Sequence, residues 1–396
     1  MEQTPPQIAI IGAGIFVRNT YIPRLAEISN LLVLRAIWSR SEAIIPSHKA
    51  CISLSGFLAF VEKMVLGCVQ SSNAFLLFAE SARGAVETAK KFFPNVECKW
   101  GEAGLEEIIQ DASIIGVAVV LAGQAQVDMS LRLLKSGKHV LQEIDHWFTN
   151  SAGTELNAAI SSYSSLQPAP IWAVAENYRF EPAFVEGKKL MAEIGDVINI
   201  HVIIEGSMNS SNPYFSSSWR RDFVGGFILD MGVHFISGLR MLVGCEITSV
   251  SAITSHVDTT LPAPDHISST IQLEDGSSGV FVMVVSSRSP KVLWRIVGLK
   301  GTLQVERGSK DGKHGYTVVL FTADGQNKSW FYPFSGVTEE LKTFLSDISQ
   351  ANLKKDGSHQ VEPRISFLEG ARDVAVLDAM LESGKRQGVA VQVKKF

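Results

Sequence analysis

The chain has 396 residues, 46% of them hydrophobic, which excludes a disordered or fibrous protein and suggests about two domains at roughly 150 residues each. Thirty-six lysines and arginines face 40 aspartates and glutamates, a net charge of −4, and the basic residues are scattered, so neither nucleic acid nor a membrane surface is expected as a partner. Mean hydropathy is slightly positive at +0.15, yet the most apolar stretch, Cys51 to Cys68, holds Glu62 and Lys63, where a membrane span of about 20 residues would hold no charge.

Residues 7–11, Gln-Ile-Ala-Ile-Ile, form a short β-branched run that predicts a buried parallel strand. It leads directly into Gly12-Ala13-Gly14-Ile15-Phe16-Val17, after which Tyr21, Ile22, Leu25 and Ile28 recur at helical spacing. Leu31 to Trp38 predicts a second strand, ending in Ser39-Arg40-Ser41. Strand, glycine turn, helix and strand make the first half of a nucleotide-binding α/β unit. Residues 43–79 then break the pattern, with only Lys49, Glu62 and Lys63 charged. Their flanks would join as an ordinary strand–loop–helix connection without them, so they read as an insertion that supplies most of the positive hydropathy. A buried helical hairpin, a partner-binding surface and an aberrant translated segment each account for it, and its motif-free content favours the last.

Regular alternation resumes with helices at Glu80–Phe93 and Leu105–Gln110 and a strand at Ser113–Leu121. A helix at Asp128–Lys135, stopped by Gly137, precedes a strand at His139–Gln142, a helix at Ser151–Leu166 and a strand at Ile171–Ala175. This βαβ rhythm predicts a mostly parallel, doubly wound sheet. After a helix at Pro182–Glu193 the texture becomes strand-rich, with runs beginning at Val197, Ile247, Ile267, Ser278, Leu293, Thr302 and Tyr316. Asp275-Gly276 and Asp324-Gly325 mark turns between them, so this half reads as an antiparallel sheet. One helix, Gly226–Leu242, is embedded in it, and helices at Thr338–Ile348 and Ile365–Leu381 close the chain. The cysteines (Cys51, Cys68, Cys98, Cys245) lack metal-type spacing, and Met1–Pro6 lacks the features of a secretory signal. Reduced thiols and a cytoplasmic location are the expectation.

Gly12-x-Gly14 between strand and helix fits the dinucleotide fingerprint, because glycine lets the backbone turn tightly and approach a pyrophosphate at the helix N-terminus. Ile15 and Phe16 continue that turn, and the third position, usually Gly or Ala, is Val17. An ordinary glycine-rich turn is the blander reading; position and context favour the nucleotide. At the end of the second strand an acidic residue would bind a ribose 2′-hydroxyl, whereas Ser39 and Arg40 offer a hydroxyl and a guanidinium. That favours NADP(H) over NAD(H), although Arg40 along an adenine face would serve either. Further on, Asp230 and His234 stand four apart in Gly225-Gly226-Phe227-Ile228-Leu229-Asp230-Met231-Gly232-Val233-His234 and share one helix face. Their neighbours are apolar, so both groups need partners or a polar pocket. A satisfied core Asp–His pair is the alternative.

Together with Gly137-Lys138-His139-Val140 leading to Glu143, and with Trp219-Arg220 upstream of the Asp230/His234 segment, these motifs give the chain its likeness to a known family. It resembles the glucose–fructose oxidoreductase, inositol dehydrogenase and rhizopine-catabolism (Gfo/Idh/MocA) family of NAD(P)-dependent oxidoreductases. Apart from residues 43–79 the resemblance covers essentially the whole chain. It implies an α/β fold with an N-terminal Rossmann domain, residues 1–150, and a C-terminal α+β domain, residues 151–396. The second domain would carry an open, mostly antiparallel sheet that joins copies into a homo-oligomer, with some C-terminal segment packing back on the first. The implied reaction passes a hydride between nicotinamide and a sugar, polyol or related small molecule. Gly12, Gly14, Ile15 and Phe16 would then lie at the pyrophosphate, Ser39 and Arg40 at the adenosine ribose, and Glu143 near the nicotinamide ribose. Asp230 and His234 would be the catalytic pair, with Trp219, Arg220 and Arg179 as substrate contacts; an ion pair between domains is the blander role for Arg179. No metal is implied.

One departure bears on activity. Where the family has Glu-Lys-Pro, this chain has Glu143-Ile144-Asp145, and isoleucine carries no proton. Leu121-Ala122 and Gln126 likewise replace the usual Thr-Pro and His. Two readings follow: an oxidoreductase in which His234 is the acid/base and Asp230 orients it, or a non-catalytic NAD(P)-binding regulator of the same fold. The retained Asp230 and His234 favour the first.

Overall fold

The computed structural model describes residues 4–40, 81–143, 152–215, 218–221, 225–354 and 359–396, which form two compact units, Met1–Leu121 and Ala122–Phe396. The apolar stretch 43–79, Ile144 and Asp145 lie outside the described residues.

In the first unit, β1 (Gln7–Ile11) pairs in parallel with β2 (Val33–Ser39) and β4 (Ile114–Val119), and β2 pairs in parallel with β3 (Glu97–Trp100). The central strand β1 buries Ile8 to Ile11, as its unbroken apolar run requires. Helices α1 (Ile22–Glu27), α2 (Ser81–Lys90) and α3 (Gly101–Gln110) alternate with the strands. The sequence did not announce β3, because Glu-Cys-Lys-Trp is a half-exposed edge strand without an apolar run.

The second unit begins with α4 (Gln126–Lys135), β5 (His139–Glu143), α5 (Ala152–Ser164) and β6 (Trp172–Ala175), and β5 and β6 pair in parallel. After α6 (Pro182–Ile194) come β7 (Val197–Ser207), the short α7 (Ser218–Arg221) and α8 (Gly226–Val243). The strands β8 (Ile247–Ser255), β9 (His266–Leu273), β10 (Ser278–Val284) and β11 (Ser286–Gly298) follow. Three more, β12 (Gly301–Lys310), β13 (Lys313–Thr322) and β14 (Asn327–Pro333), lead to α9 (Gly336–Leu353), α10 (Phe367–Lys385) and the two-residue β15 (Val391–Gln392). The resulting nine-stranded sheet has the order β14-β13-β12-β11-β7-β10-β9-β8-β15 and is antiparallel except where β7 and β10 run parallel.

Period-two burial explains how this sheet holds its helices. Ile200, Val202 and Ile204 of β7 point to one face and are fully buried, and on this sheet α6 packs on β12 and β13 and α8 on β10. Close approach of the helices depends on glycine: a Cβ on Gly238 of α8 would stand 2.7 Å from Phe184 of α6. Trp294, Phe184, Tyr316 and Phe281 are among the large, fully buried side chains of this unit. Helix α8 is long and apolar enough to cross a membrane by composition, but 78% of it is buried inside the unit, and that burial accounts for its apolarity. The C-terminal α10 packs on α8 and β8, and Phe367 at its start stacks on Trp172 of β6 with ring centroids 3.6 Å apart.

Candidate active site

The glycine turn belongs to the first unit. Ile11 lies opposite Trp38, so Gly12 and Ser39 leave neighbouring strands side by side. Gly12 has φ +128°, its N–H donates to the Trp38 carbonyl at 2.9 Å, and a Cβ would stand 2.0 Å from the Val120 carbonyl oxygen. Backbone and contact both exclude a side chain there. A Cβ on Gly14 would meet nothing within 4 Å, so that stretch of backbone is open to an approaching group. Ile15 and Phe16 begin the following helix, which widens to a π-helix over Val17–Tyr21, starting where the fingerprint has Gly or Ala. Ser39 is half-buried, Arg40 is exposed, and residues 39–41 carry no carboxylate. The cradle fits a pyrophosphate, and Ser39 and Arg40 are suited to the adjoining ribose.

The titratable centre belongs to the second unit. Glu143 ends β5 opposite Ala175, and Glu176 follows Ala175, so two carboxylates leave adjacent parallel strands at the same end. Glu176 is fully buried, and its side chain accepts the Tyr178 backbone N–H at 3.1 Å. It also faces Nδ1 of His234, with its two oxygens 2.9 and 3.1 Å away. A carboxylate partner makes Nδ1 the donor and turns Nε2 outward as the free position of the ring. Tyr178 stacks beside the imidazole, with centroids 5.6 Å apart and planes 19° off parallel. Burial of the ring opposes its charge, but the carboxylates of Glu176, Asp230 and Glu143 outweigh that and raise the His234 pKa to about 9. The result is a cationic acid at neutral pH. Asp230, one turn earlier on α8, accepts a hydrogen bond from Nε of Arg220 at 2.9 Å, and the same guanidinium lies over the Tyr214 ring.

A further carboxyl, on Glu340, interacts electrostatically with Glu143 and Glu176. Glu340 of α9 is buried, and its Oε2 has no hydrogen-bond partner among the described residues. Burial first, then the charges of Glu143, Glu176 and Glu181, push its pKa well above the usual carboxylate range and so favour its neutral form in the folded chain. A carboxyl raised on folding contributes stability at low pH and loses it as pH climbs from about 4.3, its unfolded pKa, toward the folded value. Glu340→Gln is therefore expected to match the parent in melting temperature near pH 4. Its advantage should grow as pH rises above about 4.3; parallel melting curves at all pH values would contradict this.

Most of the residues singled out from sequence stand within one or other of these two groups. Arg179 does not: it is buried and its guanidinium bonds Asp373 of the same unit. Asp230 shares a helix face with His234 as the spacing predicts, but the residue that orients the imidazole is Glu176, and Asp230 pairs with Arg220 instead. Sequence reasoning missed Glu176, although one signal was available, an acidic residue immediately after the buried strand Trp172–Ala175. Trp219 lies in α7, and its side chain is outside the described residues. Among the described residues no cluster of His, Cys, Asp and Glu could hold a metal ion.

Comparisons with known proteins agree with this architecture. Residues 186–304 match the GFO/IDH/MocA C-terminal domain family. Dehydrogenase FPY6 of Fusarium mangiferae is 29% identical over 401 aligned residues, covering 98% of this chain and 99% of that protein. Among solved structures, the aldose–aldose oxidoreductase of Caulobacter crescentus aligns with a TM-score of 0.71 at 18% identity, over 98% of this chain and all of that one. A levoglucosan dehydrogenase solved with NADH aligns with a TM-score of 0.70 at 18% identity, over 99% of this chain and all of that one. At such identity the structures speak to the fold, and the domain match and the full-length relative speak to kinship. Residues 186–304 thus match the GFO/IDH/MocA C-terminal domain, and the chain as a whole is similar in sequence to a dehydrogenase and in fold to these oxidoreductase structures.

Proposed function

We propose that this protein is an NAD(P)-dependent oxidoreductase that interconverts a carbonyl and a hydroxyl on a sugar, polyol or related small molecule. The observation that carries the reading is His234, a half-buried imidazole charged through Glu176 with Nε2 left for a substrate oxygen. Nicotinamide, when bound, supplies or accepts the hydride. The chain's own residues then manage the proton. In reduction, Nε2–H of His234 donates to the oxygen that gains negative charge as the carbonyl carbon is reduced; in oxidation, neutral Nε2 takes the hydroxyl proton. Asp230, held by Arg220, is suited to accept a hydrogen bond from a neighbouring substrate hydroxyl. Since Ile144 stands where the family has its lysine, His234 is the proton carrier in this reading.

The cradle of Gly12 and Gly14 would hold the pyrophosphate, Arg40 the 2′-phosphate of NADP(H), and Glu143 the nicotinamide ribose. In this reading residues 1–150 act as the cofactor domain and residues 151–396 as the substrate and oligomer domain of a cytoplasmic enzyme. Fluorescence titration with NADPH, followed by a turnover screen over sugars, polyols and small carbonyls, tests it. Arg40→Ala is expected to weaken NADPH about tenfold, in keeping with the loss of a charged hydrogen bond, and to leave NADH nearly unchanged. Ile144 favours the second reading, a cofactor-binding regulator, and tight NADPH binding without turnover on any of the panel would establish that one instead.

A further inference from the structure

The second unit contains a cavity of about 390 Å³ that the site described above does not use. Met231 and Phe235 of α8 form one wall. Each is one residue beyond Asp230 or His234 and so about 100° further round the helix, and neither Asp230 nor His234 lines the cavity. Its floor is apolar and buried, made by Met208, Phe235, Val285 and Val292.

The rim has the opposite character. Lys291 of β11, Arg307 of β12 and His314 of β13 converge there, with Glu205 of β7 as the one carboxylate in the lining. The Arg307 guanidinium lies 5.0 Å above the Phe334 ring and has no carboxylate ion-pair partner among the described residues. Lys291 is held loosely, 3.6 Å from Glu306 and with 45% of its side chain exposed. Nδ1 of His314 hydrogen-bonds Ser309 at 2.8 Å, which leaves Nε2 for another partner. A Cβ on Gly308 would meet nothing within 4 Å, so the backbone between Arg307 and Ser309 is also open.

An apolar floor beneath a cationic rim selects for a molecule with the same two halves. A volume near the lower end of small-molecule pockets, which span roughly 300–1,000 Å³, admits one ring and a head group rather than a dinucleotide. A guanidinium is the planar donor suited to a carboxylate or phosphate, with lysine as a supporting point charge. We propose that this cavity binds a small organic anion, a carboxylate or phosphate ester carried on a single ring or short apolar body. The proposal does not depend on turnover at His234.

The test uses the full chain and three probes of similar size, benzoate, phenyl phosphate and benzyl alcohol, measured by calorimetric titration. The expected result is binding of at least one of the two anions, about tenfold or more tighter than the alcohol. The preferred anion identifies the head group. Arg307→Gln is expected to weaken that anion about tenfold or more, with Lys291→Gln as a second variant, while His234→Asn leaves affinity unchanged. Both rim residues are exposed, and thermal melting of each variant confirms its fold. Failure of both anions to bind, equal binding of the alcohol, or unchanged affinity in folded Arg307→Gln overturns the proposal. Loss of binding in His234→Asn overturns it too, because the anion would then sit at the imidazole.

Discussion

Replacing His234 by asparagine is expected to slow carbonyl reduction about 10²- to 10⁴-fold, the range for a lost general acid, with cofactor affinity unchanged. The pH profiles make the test specific. With the imidazole pKa raised to about 9, reduction should hold across neutral pH and fall as pH passes through about 9, while oxidation should rise over the same interval. Glu176→Gln keeps a side-chain oxygen for Nδ1 but removes the charge that supports the cation. Both limbs should therefore move toward the ordinary histidine value near 6.5. Stability carries the same sign: a histidine whose pKa rises on folding stabilises the chain fully below about 6.5 and loses that contribution as pH climbs to about 9. The parent should thus lose melting temperature more steeply between those limits than His234→Asn does. A Glu176→Gln variant with unshifted rate profiles would remove Glu176 from this role.

The dependence of His234 on Glu176 also shows where sequence reading stops. The first strand, the glycine turn and the apolar helix α8 are legible because each is written in a few consecutive residues, through β-branched runs, glycine punctuation and helical spacing. Asp230 and His234 can be placed on one face for the same reason. The partner of His234 lies 58 residues away, and only the length of β6 and the packing of α8 decide that Glu176, rather than Asp230, meets Nδ1. Arg179 is obscure in a similar way, since a lone arginine after a strand could serve a substrate or an ion pair equally well, and its carboxylate partner is 194 residues further along the chain. The unread strands β3 and β14 are sheet edges, where solvent removes the hydrophobic pattern that identifies interior strands.

Asp373→Ala is expected to be among the most destabilising single changes in the second unit, at about 3–5 kcal/mol, because it leaves a buried guanidinium without its counter-charge. Asp373 is fully buried between Arg179 and Arg240. Arg240 would keep Glu246 and Glu369, at 2.7 and 2.8 Å, whereas Asp373 is the one carboxylate in ion-pair contact with Arg179 among the described residues. The double variant Arg179→Met with Asp373→Leu removes both charges and should recover most of the loss, as replacement of buried ion pairs by apolar residues commonly does. The pair also has a consequence for the site. Arg179 closes the short turn Asn177–Arg179, whose Tyr178 stacks on His234 and which directly follows Glu176. Arg364 adds a second tie, lying over Phe180 and donating to the Arg179 carbonyl at 3.2 Å. Freeing Arg179 should let this turn move and loosen the contact between Glu176 and the imidazole. Assayed well below its melting temperature, Asp373→Ala should then show a rate profile shifted to lower pH, as Glu176→Gln does. A variant that melts early but keeps the parent profile would confine the Arg179–Asp373 pair to stability, and one that keeps the parent melting temperature would refute the argument from buried charge.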